Sequence, residues 1–379
     1  MKIEQMQWTQ SAGWNPEIPG KLAADANWVL VFGSTEHLKN KWHIRNIRKA
    51  YPNALISGCS TAGEIFDASV LNDSLSVTAI HFEHTRLQTT YVRVNNSEDS
   101  FRCGTKLAQA ISHQGLRHVF VLSDGLNINS NELITGLSEQ LPAGITITGG
   151  LSGDAGRFEE TLVLWQDAAQ SHLVTLVGLY GKELKIGFSS LGNWSSLEPE
   201  NPGTHINSNT LYEMDGQSAL ELYKSHLGEH AAHLLATNTQ SPLDSHSVSN
   251  DTSLAKTSLS ADKNEQNMGF ADNISASSHA HRVKEDINRP TDDTIAATKI
   301  SPPALDTAPA ELAVLISCVK RKMALRQKTK KEVEGIRKML GPHPILTGFY
   351  SYGEISPFSP GTKHELHNQT MTIIIFSEI

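Results

Sequence analysis

The sequence is poor in cysteine, in aromatic side chains and in long apolar runs. Among its 379 residues there are 3 cysteines and 6% aromatic residues, and no two cysteines form a C-x-x-C pair. This spacing excludes a disulfide scaffold and a cysteine-rich zinc site. The longest apolar runs, such as Thr372–Phe376, are far shorter than the roughly 20 residues that cross a bilayer. We therefore expect no membrane partner.

The charge balance lacks a basic excess. The chain has 32 Lys and Arg against 40 Asp and Glu, which gives a formal net charge of −8. Such a chain lacks the overall positive charge of a nucleic-acid-binding protein. The first residues, MKIEQMQWTQ, do not contain the apolar core of a signal peptide. These features predict a cytoplasmic protein that binds neither nucleic acid nor membrane.

A segment of low complexity divides the chain. Ser, Asn, Asp and Thr dominate from about residue 237 to 310, where Phe270 is the only aromatic residue. A segment of this composition buries too little apolar surface to offset the entropy of ordering it. We predict a mostly disordered insert over 226–310, which separates one module at 27–225 from another at 311–379.

The flanking regions repeat one order of elements: strand, helix, strand and glycine-rich loop. The loop of the first copy is GCSTAGEI at 58–65, and that of the last copy is GFYSYGEI at 348–355. A weaker copy between them leads into GGLSGDA at 149–155. Chance rarely reproduces four kinds of element in the same order. The pattern predicts an α/β to α+β fold, in which repeated strand–helix–strand units form mixed β-sheets covered by helices in two pseudo-symmetric modules.

Capping residues predict where two of the helices begin. Thr329 is followed by Glu332 three residues later, which is the pattern of a capping box. In the middle copy, Asn129 or Ser130 precedes leucines at helical spacing and can cap that helix.

The three loops contain the candidate ligand-binding residues. Glycine lets a ligand approach the backbone, and exposed backbone N–H groups can donate to an anion. The glycine spacing matches a phosphate-binding loop, but a glutamate replaces the lysine, which excludes that function. The alternative is that the loops are tight structural connections. The candidates are Gly58, Ser60, Thr61, Gly63, Glu64, Gly150, Ser152, Gly153, Asp154, Tyr350, Tyr352, Gly353 and Glu354.

No catalytic motif is present in the sequence. It contains neither the G-x-S-x-G motif of hydrolases nor the H-E-x-x-H motif of zinc proteases, so we expect that the protein is not an enzyme. Cys59 and Cys318 lie beside strand ends, where buried inert thiols are the ordinary case. A redox role for either thiol stays open.

Six segments carry a family resemblance in the expected order. They are ISGCSTAGEI, LSDGLNINSNELITGL, ITGGLSGDAGRF, YEMDGQSALELYKSHLG, LISCVKRK and GFYSYGEISPF with ELHNQTMTI. Together they resemble the FIST family of bacterial sensory proteins, with an N-terminal and a C-terminal FIST module. The resemblance implies an intracellular ligand-sensing protein whose partner is a histidine kinase or a cyclic-di-GMP signalling protein.

Two classes of ligand follow from this resemblance. A two-module chain resembles the haem-binding, nitric-oxide-sensing members, which regulate a partner histidine kinase. One neutral histidine would then hold the haem, and His367 and His205 are candidates because both lie in strand-like segments beside apolar residues. The alternative is a haem-free sensor or adaptor for a small metabolite such as an amino acid. Loop N–H groups would take its carboxylate, and Glu64, Glu354 or Asp154 its ammonium.

Overall fold

The computed structural model shows a mixed α/β protein in which strands alternate with short helices. The residues that it describes are 1–18, 20–191, 194–196, 201–207, 210–214, 217–218, 243–247, 254–256, 258–262, 267–270, 278–285, 309–357, 364–367 and 370–379. Within these ranges, no helix has both the length and the apolar composition needed to cross a membrane.

The helices and strands are numbered in chain order. The α-helices in the described residues are α1 (Thr35–Lys39), α2 (Lys41–Ala50), α3 (Ser100–Gln109), α4 (Ser130–Gln140), α5 (Val319–Leu325) and α6 (Thr329–Leu340). Short 3-10 helices lie at Ala23–Asp25, Ser97–Asp99 and Arg326–Lys328. The strands up to the third loop-flanking unit are β1 (Lys2–Thr9), β2 (Gly13–Asn15), β3 (Trp28–Gly33), β4 (Leu55–Ser60), β5 (Glu64–Phe66), β6 (Ser69–Leu71), β7 (Leu75–His81), β8 (Arg86–Arg93), β9 (Leu116–Ser123), β10 (Thr146–Leu151), β11 (Val163–Trp165), β12 (Ala168–Gln170), β13 (Leu173–Tyr180) and β14 (Leu184–Leu191). The remaining strands are β15 (Trp194–Ser196), β16 (Asn201–Asn207), β17 (Thr210–Met214), β18 (Gln217–Ser218), β19 (Leu243–Ser247), β20 (Leu254–Lys256), β21 (Ser258–Asp262), β22 (Asn267–Phe270), β23 (Ser278–Glu285), β24 (Leu312–Cys318), β25 (Ile345–Ser351), β26 (Gly353–Pro357), β27 (His364–His367) and β28 (Met371–Glu378).

Three units of the chain repeat one arrangement, as the sequence pattern predicts. In each unit two parallel strands enclose a helical connection, and a third strand runs antiparallel beside the first. The strand trios are β3–β4–β7, β9–β10–β13 and β24–β25–β28. Helices α2, α4 and α6 lie in the three connections, and each buries one face. The predicted α/β to α+β fold with mixed sheets is confirmed.

After each glycine loop, the chain leaves its own sheet and joins that of another unit. Strand β5 of the first unit pairs with β25 of the third, and β26 of the third pairs with β10 of the second. Strand β11 of the second unit pairs with β4 of the first, which closes the cycle. The three mixed sheets are therefore joined in a closed ring of strand exchanges, and each glycine loop leads into the strand that joins the next sheet.

The core at the centre of this ring contains large side chains from every unit. The Trp28 ring of the first unit lies 5.6 Å from that of Phe120 in the second and 6.5 Å from that of Phe376 in the third. Leu30, Phe32, Leu122 and Phe349 belong to the same fully buried cluster. Apolar burial on this scale supplies the main favourable free energy of folding. It also fixes the three loops relative to one another.

One glycine in each unit marks the closest approach of the second parallel strand to the first. These residues are Gly58, Gly149 and Gly348. A Cβ atom at any of the three positions would lie 1.8 to 1.9 Å from a carbonyl oxygen of the neighbouring strand. With these glycines as the common reference, Asp154 corresponds to Gly63 and Gly353, and not to Glu64 or Glu354. The acid of the middle loop is therefore not the equivalent of the two glutamates.

A fourth, nine-stranded sheet is formed by strands β15 to β23. Five of these strands, β19 to β23, fall in the segment predicted to be mostly disordered, and apart from residues 309 and 310 the rest of that segment lies outside the described residues. Strands form through backbone hydrogen bonds, which a polar composition does not forbid. The bounds of the predicted insert and modules stay a prediction.

The two predicted helix starts had different outcomes. Asn129 caps α4, because its side chain accepts a hydrogen bond from the Glu132 backbone N–H at 3.2 Å. The predicted capping box at α6 is wrong. Thr329 lies inside the helix and its hydroxyl donates to the Arg326 carbonyl, while the Glu332 side chain turns inward to Arg321. A buried cation competes successfully for this carboxylate.

Candidate functional site

The three glycine loops are joined to one another by backbone hydrogen bonds. The bonds, from donor N–H to acceptor carbonyl, are Ala62 to Tyr350 and Tyr350 to Gly63, both 2.8 Å, Gly153 to Ser60 at 2.8 Å, Ala155 to Thr61 at 3.1 Å and Tyr352 to Leu151 at 3.3 Å. We predicted that loop N–H groups take a ligand carboxylate. For these five donors that role is wrong, because each is already bonded to another loop.

Most of the predicted loop residues are also hydrogen-bonded or closely packed within the protein through their side chains or Cα atoms. The Ser60 hydroxyl accepts from the Leu162 N–H at 2.8 Å, and the Ser152 hydroxyl donates to the Ser123 carbonyl at 3.0 Å. Gly150 and Gly353 lie in close packing, since a Cβ atom there would be 2.8 and 2.9 Å from side-chain carbons. The structure thus brings the predicted loop residues together. That these four residues contact a ligand stays a prediction.

Glu64 is buried and both of its carboxylate oxygens have partners. The Thr61 and Ser74 hydroxyls each donate to one oxygen at 2.5 Å. Burial raises the pKa of Glu64 to about 7, although these hydrogen bonds and the charge of Lys322 oppose the shift. Glu64 is therefore satisfied without a ligand, and its protonation changes near neutral pH.

The Glu64 pKa predicts a specific pH dependence of stability. The folded state keeps a proton that the unfolded chain loses, so the free energy of unfolding falls as the pH rises from about 4.5 to about 7. We expect Glu64→Gln to remove this loss, which amounts to about 3 kcal/mol. Urea denaturation of both proteins across this pH range measures the difference.

The same denaturation series on Glu36→Gln, at an exposed position, controls for the loss of one carboxylate. If the free energies of wild type and Glu64→Gln keep a constant difference between the two pH limits, the buried carboxyl does not titrate as described.

Asp154 is buried and stabilises the loop that follows it. Its carboxylate accepts hydrogen bonds from the backbone N–H groups of residues 158–160 at 2.7 to 3.0 Å, and from the Tyr352 hydroxyl. Burial raises the pKa of Asp154, but these hydrogen bonds outweigh it and hold the pKa below its usual value. The Tyr352 ring also stacks on that of Phe158, with centroids 4.4 Å apart. Both residues therefore hold the loop in place.

Lys322 of α5 connects the first loop to the third. Its Nζ atom donates to the Ala62 carbonyl at 2.6 Å and to Asn72 Oδ1 at 2.5 Å. The same atom lies 4.9 Å from the centroid of the Tyr350 ring. Burial lowers the pKa of Lys322, while the neighbouring Glu64 carboxylate opposes the shift. The two FIST-like halves of the sequence thus meet at this lysine.

A buried ion pair lies beside the third loop. Arg321 of α5 donates from Nε to Glu332 Oε1 at 2.8 Å, and a second guanidinium N–H donates to the same oxygen. Glu354 is also fully buried, and one of its oxygens accepts from the Thr370 hydroxyl. Burial raises the pKa of Glu354 well above its ordinary value, against the Thr370 hydrogen bond and the Arg321 charge. The site therefore holds one arginine and two carboxyl groups away from bulk water.

Four polar atoms of this region have no hydrogen-bond partner among the described residues. They are Glu332 Oε2, Glu354 Oε1, the Tyr350 hydroxyl and Ser317 Oγ. Ser317 and Tyr350 are direct neighbours in the register of β24 and β25, and the charges of Arg321 and Glu332 both act on Tyr350. A buried polar group without a partner costs about 1–3 kcal/mol. We call Ser317, Arg321, Glu332, Tyr350 and Glu354 the Arg321 cluster.

The sequence predicted only part of the Arg321 cluster. Tyr350 and Glu354 were expected from the loop pattern, whereas Ser317, Arg321 and Glu332 were missed. The available signal was the segment LISCVKRK, in which three basic residues follow an apolar strand after a gap of one residue, Val319. Cations placed directly after a buried strand can lie under the sheet edge and need buried acids as partners.

The two predicted haem ligands do not gain support from the geometry. His367 is buried, and its Nε2 atom donates to the Ser356 carbonyl at 2.9 Å, so this nitrogen does not fit an axial haem bond. His205 lies in β16, but its side chain is outside the described residues. Among the described residues, no three His, Cys, Asp or Glu side chains form a metal-binding group. Haem binding stays a prediction from the resemblance.

Comparison with protein-family models shows which family the chain belongs to. The model of the FIST N domain matches residues 27–217, and that of the FIST C domain matches residues 219–357. The chain belongs to the FIST family. FIST domains are ligand-binding sensory domains of signalling proteins, and this holds for the present chain. The FIST C match begins at residue 219, whereas the sequence placed the second module at 311–379.

The chain is also similar to solved structures, at low identity. It matches a chorismatase at 8% identity and a TM-score of 0.34, covering 100% of this chain and 98% of the other. A cyanuric acid hydrolase from A. caulinodans matches at 8% identity and a TM-score of 0.35, covering 100% and 98%. A second structure described as cyanuric acid hydrolase matches at 9% identity and a TM-score of 0.30, covering 100% and 99%. No curated protein sequence matches the chain.

Proposed function

We propose that this FIST chain is a haem-free sensor that binds a small polar metabolite with an ammonium group, such as an amino acid, in the Arg321 cluster. The observation that carries the proposal is that four buried oxygen atoms of this cluster have no hydrogen-bond partner among the described residues, two from carboxyl groups and two from hydroxyls. Native proteins leave few buried polar atoms unpaired. A ligand that donates hydrogen bonds would satisfy them.

The chemistry of the cluster selects the ligand class. An ammonium group offers three N–H donors, which matches a set made of carboxyl and hydroxyl oxygens. Arg321 adds a positive charge beside them, and this charge would attract the carboxylate of a ligand. A zwitterion therefore fits better than a simple anion or cation.

The predicted partner follows from the family. FIST modules act in signalling proteins, and we infer that a histidine kinase or a cyclic-di-GMP signalling protein in the cytoplasm receives the signal. The alternative function is a haem-based nitric oxide sensor, which is supported only by the resemblance to the haem-binding members of the family. Because His367 donates its Nε2 proton to a backbone carbonyl, we favour a haem-free sensor. We also propose that the protein binds its ligand without catalysing a reaction.

A thermal-shift panel tests the proposed ligand class. We expect one or a few amino acids to raise the melting temperature by several degrees, since ligand at about 100 times Kd adds about 2.7 kcal/mol. The shift should grow as the pH rises, because an ammonium binds the ionised form of Glu354 and burial raises the pKa of that carboxyl, which favours its protonated form at lower pH.

The absorption spectrum of the protein with added hemin tests the alternative of a haem-based nitric oxide sensor. A sharp Soret band at one haem per chain, shifted by nitric oxide, together with no stabilisation by any amino acid, would contradict the proposal. Broad absorbance like that of free hemin, with amino-acid stabilisation, would support it.

A further inference from the structure

The outer face of α6 and the turn before it carry an excess of positive charge. Five basic side chains are exposed on this short stretch: Arg326, Lys328, Lys330, Lys331 and Lys338. The stretch contains two acids, and Glu332 is buried while Glu334 is partly exposed, 3.7 Å from Lys330. The whole chain has a net charge of −8, so this face has the opposite sign to the rest of the molecule.

Helical spacing explains why these charges share one face. The buried positions of α6, which include Glu332, Val333 and Ile336, lie on one side of the helix, so the opposite side faces water. Lys330, Glu334 and Lys338 follow at intervals of four residues, and Lys331 lies beside them. Soluble proteins usually intersperse charges of both signs over the surface. A one-sided set steers a partner of opposite charge.

An exposed apolar surface lies next to this face. Met323 of α5 is 41% exposed and lies three residues before Arg326, where the basic turn begins. Its Cε atom lies 2.4 Å from where a Cβ atom of Gly156 would be, so it contacts the loop of Phe158. Phe158 is 46% exposed. Methionine, phenylalanine and arginine are enriched at protein interfaces, where an apolar centre has a polar rim.

We propose that this basic face, defined by Met323, Arg326, Lys330, Lys331 and Lys338, docks an acidic segment of a partner protein. Charge complementarity selects the occupant, since acidic side chains would pair with the exposed cations. A nucleic acid or an anionic membrane is a larger polyanion, and the remaining acidic surface of the chain would be repelled by it. The apolar pair Met323 and Phe158 also suits a protein segment.

The face is separate from the ligand site but shares a helix with it. On its inner side α6 presents Glu332 to Arg321, and on its outer side it presents Lys330, Lys331 and Lys338. Docking as proposed needs no ligand, so it stands or falls independently of the proposed function.

The test uses a fluorescent peptide of about ten glutamates with one terminal phenylalanine, and measures its anisotropy with the full chain. We expect binding at about 50 mM salt that weakens about tenfold or more at about 300 mM, as Debye screening requires. The variant K330E/K331E/K338E should lose about tenfold or more in affinity at the lower salt. Its glutamine counterpart K330Q/K331Q/K338Q should lose less.

The matched control is K21E/K41E/K106E, which changes the net charge equally at exposed positions outside the face. Its affinity for the peptide should stay within about threefold of wild type. Circular dichroism melting shows whether each variant is folded, and the glutamine variant replaces any glutamate variant that is not. Equal losses in the face and control variants, or tighter binding to duplex DNA or phosphatidylserine vesicles than to the peptide, would overturn the proposal.

Discussion

Replacing Arg321 with methionine is expected to lower the free energy of unfolding by about 3–5 kcal/mol. The reason is that Arg321 and Glu332 are both buried, with the guanidinium Nε 2.8 Å from Glu332 Oε1. Removing only the cation leaves the Glu332 carboxylate in the protein interior with no compensating charge. Glu354 nearby would also lose the positive charge that opposes the rise of its pKa. Urea denaturation at neutral pH measures the loss.

The double variant Arg321→Met with Glu332→Met is the informative companion. Replacing a whole buried ion pair with apolar side chains of similar volume is often neutral or stabilising. We therefore expect the double variant to be more stable than Arg321→Met alone by at least about 2 kcal/mol. Additive losses in the two single variants and the double variant would show that the pair is not coupled as the structure shows.

Alanine at Gly58 is expected to prevent stable folding or to cost more than about 4 kcal/mol. The Cβ atom would lie 1.9 Å from the Val31 carbonyl oxygen in the neighbouring parallel strand. Neither strand can move away easily, because β3 is paired on its other side with β7 and β4 is paired on its other side with β11. Circular dichroism melting and soluble yield report the effect.

Gly115→Ala is the control for Gly58→Ala. Gly115 has a φ of +76° and no atom within 4 Å of the added Cβ position, so only backbone strain of about 1 kcal/mol is expected. If the two substitutions cost the same, the close approach of strands β3 and β4 is not what requires glycine at 58.

The repeated units were predictable because their signals are local. Each loop glycine, each short apolar strand and the Asn129 cap depend on residues that are close in the sequence. The exchange of strands β5, β11 and β26 between units was not predictable, because each pairs with a strand far away in the chain. Local patterns specify a strand but not its partner.

In the candidate site, too, features set by nearby residues were predictable, and features set by distant contacts were not. Glu354 and Tyr350 stand in a conspicuous loop, and their side chains do carry unpartnered buried atoms. Glu332 was assigned to a helix cap because Thr329 precedes it by three residues. Only the tertiary position of Arg321 shows that this carboxylate turns inward. Likewise, the acid in the GGLSGDA loop resembled Glu64 and Glu354, yet it holds its own loop.

The most direct test of the central claim is calorimetric titration of wild type, Tyr350→Phe and Tyr51→Phe with the amino acid that gives the largest thermal shift. The Tyr350 hydroxyl has no partner among the described residues, whereas that of Tyr51 donates to Glu4 at 2.8 Å. Removing the Tyr350 hydroxyl should weaken the ligand about tenfold and leave the ligand-free protein equally or more stable. Tyr51→Phe should destabilise the protein by about 1 kcal/mol and bind the ligand like wild type. Wild-type affinity in Tyr350→Phe would contradict the assignment of the ligand to the Arg321 cluster.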